Sequence, residues 1–204
     1  NRFSYALSSA LRALLRLAAL LLTMLFVAQL TVISLDLLAA QCLGPGSRCM
    51  GFMPNFVRAN EVLRTWLALL PLGLTVLLMH RLSAVYWRVS AATKDGTHQS
   101  ARAPMLPGAN VVADPDTPAL RALHTVGSLA VIVLLALGGP FADTSDPRWV
   151  TAAALIGIAV IGTLVLDDPT GLRAAPASVV LRSALSTAPR RTLISLGALL
   201  VAGV

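Results

Sequence analysis

Charge is scarce in this chain. Only 12% of its 204 residues are Asp, Glu, Lys or Arg, against roughly 25% in a soluble domain. A charge in hydrocarbon costs kilocalories, so a chain that crosses lipid repeatedly must be poor in it. Cysteine is nearly absent, with Cys42 and Cys49 alone, which excludes a disulfide-knit secreted scaffold and a four-thiolate zinc site. Lysine is represented by Lys94 only, beside fifteen arginines. That bias reads as GC-rich coding rather than as phosphate recognition. The P-loop, the dinucleotide-binding glycine pattern, the nucleophile elbow and the zinc-protease motif are all missing. The sequence therefore names no reaction, and no cofactor is expected.

What the chain does have is long apolar runs. Leu17 to Leu35 is nineteen residues without a charge, preceded by Arg12 and Arg16 and followed by Asp36. As a helix it spans roughly 28 Å, close to the hydrocarbon thickness of a bilayer. Similar runs recur, they are apolar all round rather than striped, and 56% of the chain is apolar. The expected fold is all-α, a polytopic transmembrane helical bundle forming one membrane domain. Four complete spans are expected at about 15–40, 62–88, 119–140 and 149–166, with the start of a fifth at 192–204. A cleaved signal peptide is the competing reading of the first run. Its apolar region would be only about 7–15 residues long, and Ala39-Ala40-Gln41-Cys42 fits neither a small-residue cleavage site nor a good lipoprotein box. A retained helix is expected. Because the chain starts at Asn1 and stops at Val204 within an apolar run, it is expected to be a piece of a longer protein.

The segments carry local signals. Phe3, Tyr5, Leu7 and Leu11 suit the headgroup region, and Trp66 and Tyr86-Trp87 stand about 30 Å of helix apart, as interfacial aromatic belts do. Pro71 is expected to kink the second span unless a neighbour satisfies the freed carbonyl. The loop at 41–60 holds both cysteines around Gly44-Pro45-Gly46, a turn that brings them within bridging distance. Residues 90–118 read as a loop and docking surface, closed by Thr117 and Pro118 as a helix start. The fourth span is rich in small residues: Ala153 and Gly157, then Ala159 and Thr163, stand four apart, a spacing that lets helices approach. Residues 177–188 read as a short interfacial helix, ahead of Arg190-Arg191 and the fifth span.

Sidedness follows from the basic residues. The N-terminal lead-in, the 81–121 connection and the 167–191 connection carry twelve Lys and Arg, and the other side carries four: Arg48, Arg58, Arg64 and Arg148. The positive-inside rule places the N-terminus in the cytoplasm of a multi-pass protein of the inner or plasma membrane. Cys42 and Cys49 then lie outside, where a disulfide persists. The net charge of +7 is spread over span ends, which suits lipid headgroups and excludes a nucleic-acid face.

Few residues are candidates for chemistry. Asp36 is a proton or ion site if it is intramembrane, and an interfacial charge at its expected depth. His80 and Arg81 face an anionic headgroup or substrate, or simply snorkel at a helix end. His124 paired with His80 across the bundle would suit a metal or haem, on a weak ligand count. Asp167 and Asp168 suggest a magnesium site, against the commoner reading of a solvated helix stop before Pro169. The chain is expected to be a membrane domain or scaffold subunit of a larger membrane assembly. Its partners would be the bilayer and other membrane subunits or copies of itself. The alternatives are a transporter component using Asp36, His80 and Arg81, and the anchor of an enzyme domain beyond Val204.

Overall fold

In the computed structural model, residues 2–47, 49, 52–97, 117–166 and 187–203 are described, and among them the chain is helical with no strand. Helix α1 covers Arg2–Ile33 and runs on as a wider π-helical stretch, Ser34–Cys42. A single turn, α2 (Asn55–Ala59), precedes α3 (Glu61–Thr97), α4 (Thr117–Ala136), α5 (Pro147–Val165) and α6 (Thr187–Ala202). Four segments are long and apolar enough to cross a membrane: Leu7–Cys42, Glu61–Ser83, Thr117–Ala136 and Pro147–Val165. Helix α6, at sixteen residues, is shorter than the roughly twenty a span needs.

Helix α4 is the axis. Twelve of its twenty residues are buried, and it touches α1, α3, α5 and α6. The outer helices each bury one narrow stripe. In α1 the stripe is Leu20, Met24, Val27 and Thr31, at helical spacing, while Leu21, Leu22, Leu25 and Phe26 are exposed. In α3, Ala68, Leu69, Leu72 and Val76 are buried while Leu70, Leu74, Leu77 and Leu78 are exposed. A water-soluble bundle would put polar residues on those outer faces; here they are Leu and Phe.

The chain direction alternates. Leu20 and Met24 of α1 flank Gly127 of α4, and Val27 packs with Leu129 and Ile132, so α1 and α4 run parallel. Gly162 of α5 lies against Leu123, and Ala159 against Gly127, so α5 runs antiparallel. Gly197 of α6 lies against Leu129, and Arg148 at the start of α5 donates to Gly203 at the end of α6, so α6 is antiparallel to α5 and parallel to α4. One end of the bundle thus gathers the starts of α1, α4 and α6, and is called the arginine end. The other holds the π-helical stretch and the Cys42–Cys49 bridge, and is called the disulfide end.

Several boundaries differ from the sequence expectation. The loop expected at 41–60 begins only after Cys42, because the first helix widens rather than stops, and it contains α2. Helix α3 continues to Thr97, consistent with the lack of any proline between Pro71 and Pro104. The start of α6 at Thr187 takes Arg190 and Arg191 into its first turns. Pro189 is tolerated there, since a first-turn N–H has no intrahelical partner to lose. Helix α4 stops at Ala136 because Gly138 and Gly139 take left-handed φ angles of 104° and 81°, which close the helix as glycine does best. Helix α3 is unbroken at Pro71. The Ser34 hydroxyl donates to the Ala68 carbonyl at 2.5 Å, next to the Leu67 carbonyl that Pro71 deprives of its ladder donor.

Candidate functional site

At the arginine end, histidine and threonine side chains link three helices. The His80 ring on α3 lies 2.9 Å, Nδ1 to Oγ1, from Thr125 of α4. The His124 ring on α4 lies 3.1 Å, Nδ1 to Oγ1, from Thr23 of α1. Both hydroxyls are already committed. Thr125 donates to the Arg121 carbonyl at 2.9 Å, and Thr23 to the Ala19 carbonyl at 2.8 Å. A hydroxyl has one proton, so in each pair the histidine must be the donor. This network assigns the Nδ1–H tautomer to both rings, which leaves Nε2 as the acceptor of each neutral imidazole. The same turns are fastened by the Ser128 hydroxyl donating to the His124 carbonyl and that of Ser83 to the His80 carbonyl.

Around this layer stand arginines. Arg121 is one turn before Thr125, Arg81 follows His80, and Arg190 stands one turn before Leu193 and Ile194, which pack against the Val126–Ala130–Leu155 cluster. Arg16 of α1 donates from its guanidinium to the Leu166 carbonyl at the end of α5, where a cation meets the negative end of the helix dipole.

The disulfide end is built differently. Cys42 and Cys49 are bonded with their Cα atoms 4.9 Å apart. Asp36 lies on the π-helical stretch, exposed, accepting from Gln41 Nε2 at 3.4 Å. Its five-residue separation from Gln41 matches the winding of that stretch. Asp36 borders an open depression of about 490 Å³ with Gly138, Gly139 and Pro140. A second, apolar groove of about 280 Å³ runs between Leu30, Ser34, Leu38, Pro71 and Thr75. Asp146 caps α5, accepting from the Arg148 N–H at 2.8 Å, and pairs with the Arg148 guanidinium at the same distance. Hydrogen bonds from the Arg148 side chain, then from its backbone, hold the Asp146 carboxyl below its ordinary value. Arg148 also donates to the Gly203 carbonyl at 2.9 Å, tying the start of α5 to the end of α6, and Trp149 Nε1 donates to Gly139 O at 2.9 Å.

The sequence candidates are therefore sorted by the fold. His80, Arg81 and His124 come together at the arginine end, and Asp36 belongs to the opposite end, so these four do not form one site. Ala159 and Thr163 are fully buried, and Ala159 faces Gly127. Ala153 is half-buried, and a side chain at Gly157 would meet nothing within 4 Å. Among the described residues, no three His, Cys, Asp or Glu side chains cluster to hold a metal ion. Asp167, Asp168, the 98–116 part of the expected docking loop and the 177–186 part of the expected interfacial helix lie outside the described residues. So do the side chains of Phe3, Tyr5, Tyr86 and Trp87. Thr23, Thr125, Arg121 and Arg190 were not singled out from the sequence. Thr23 carried a signal, as one of few hydroxyls in the Leu17–Leu35 run.

No protein-family model matches the chain, and it matches no curated protein and no solved structure.

Proposed function

We propose that the chain is a membrane-embedded scaffold subunit that docks a partner transmembrane helix on the Ala153–Gly157 face of α5. The observation that carries this reading is the division of α5 into two small-residue faces. The Ala159–Gly162–Thr163 face is used inside the chain, where a Cβ on Gly162 would come within 3.0 Å of Leu123. The Gly157 face offers the same backbone access, and among the described residues none comes within 4 Å of a Cβ added there. In lipid, association rests on such close packing, because the surrounding tails are as apolar as the helix.

The same reading puts the protein in a cell membrane with its arginine end in the cytoplasm. Supporting it are the twelve-to-four distribution of basic residues and a disulfide at the opposite end, the side on which an oxidising compartment would lie. Gly157→Leu is the test. Since no atom of the described residues lies within 4 Å of the added Cβ, its thermal stability in mild detergent should be unchanged. The wild-type protein should migrate as an assembly, and the variant as a monomer. A monomeric wild type, or an assembly untouched by the substitution, would overturn the reading.

A further inference from the structure

We infer that the disulfide end binds an amphiphilic cation, a protonated amine carrying an apolar chain, in the depression between Asp36 and the turn that closes α4.

The depression, about 490 Å³, has Val32 and Asp36 on one wall and Leu135, Gly138, Gly139 and Pro140 on the other. Its second wall is mostly backbone. Gly138 and Gly139 are left-handed, with φ of 104° and 81°, and carry no side chain to hold a ligand off the chain. That turn is fixed in place, because the Gly139 carbonyl accepts from Trp149 Nε1 at 2.9 Å and from the Ala142 N–H at 3.3 Å. Helix α1 and its π-helical continuation run in the direction of α4. Val32, one turn before Asp36, and Leu135, one turn before Gly138, therefore share the deeper level. The depression is apolar below and carries a carboxylate above.

The charge at this level selects the sign of the ligand. Asp36 is exposed. Among the described residues it is bonded by Gln41 alone, at a long 3.4 Å, and by no basic side chain. Helix α4 ends on the second wall, so the negative end of its dipole lies beside the carboxylate. The turn into α5 adds Asp143 and Asp146 against one cation, Arg148, and Asp146 holds that guanidinium at 2.8 Å. An anion is repelled here. A neutral chain gains only the apolar floor. An ammonium gains that floor and a charge-assisted hydrogen bond to the carboxylate, and its N–H groups suit a wall of acceptors. The Gly157 face of α5 lines no part of the depression, so this proposal and the scaffold reading fail separately.

The purified chain in neutral detergent is titrated with decylamine, decanol and decanoate, and binding is read by native mass spectrometry and thermal shift. Decylamine, protonated at neutral pH, is expected to bind saturably at one copy per chain, decanol more weakly and decanoate not. Asp36→Asn should weaken decylamine binding roughly fivefold, the upper range for an exposed ion pair, and leave decanol unchanged. Asp36→Glu retains the charge and should keep most of the affinity. Val32→Trp fills the depression from an exposed position and should abolish binding while the unliganded protein melts as wild type does. Glu61→Gln removes an exposed acid of the same end outside the depression and should leave binding unchanged. The proposal is overturned if decylamine does not bind, if decanol binds as tightly, if Asp36→Asn binds like wild type, or if Glu61→Gln weakens binding as much as Asp36→Asn.

Discussion

Asp146 shows how much a single half-buried residue organises at the disulfide end. Its carboxylate caps α5, pairs with Arg148, and positions that guanidinium against the Gly203 carbonyl of α6. Because the Arg148 hydrogen bonds hold the carboxyl below its ordinary value, the folded state binds its proton less readily than the unfolded chain. The stabilisation is therefore present above the unfolded value, about 3.9, and is lost as pH falls through the folded one. Asp146→Asn should lower thermal stability at neutral pH and flatten the acid dependence between about pH 5 and 2. Scanning calorimetry across that range, on wild type and variant, checks it; parallel acid curves would contradict it. Asp146 before Pro147 is a helix-start pattern that the expected span start at 149 passed over, so the cap was legible though not read. The reach to Gly203 was not legible, because nothing local links residues 55 positions apart.

At the scale of elements, the parallel contact of α6 with α4 depends on Gly197. A Cβ there would lie 3.2 Å from the Leu129 Cβ, an atom that cannot yield without moving its helix. Gly197→Ala should cost about 1–2 kcal/mol by overpacking and loosen α6 from α4. Hydrogen exchange should show faster α6 amides, with those of α5 unaffected; unchanged exchange would mean that the helices shift at no cost. The existence of most helices was readable, because charge-free runs of span length have few alternatives. Their ends were less so. The π-helical continuation of α1 joins apolar sequence to apolar sequence, and no residue marks the change of winding. Helix α6 started earlier than the arginines suggested, because a proline and two cations suit a first turn as well as a loop.

At the scale of the molecule, the orientation has a direct test. After reduction, an impermeant thiol reagent should label Cys49, which is exposed, in intact cells. Labelling that appears only in opened cells would reverse the topology. The hydrophobic pattern told which segments avoid water but not which face of each meets protein, since the segments are apolar on every side. That ambiguity hid the centrality of α4, whereas the placing of Asp36 at one end and His80 with His124 at the other already followed from their positions along the spans. The scarcity of charge, the length of the runs and the sidedness of the arginines follow from composition and order alone, because lipid penalises charge whatever the packing. Which small-residue face packs inside the chain and which threonine holds each histidine were decided only by tertiary structure. Those are contacts between residues far apart in the chain, and helix packing, not sequence spacing, brings them together.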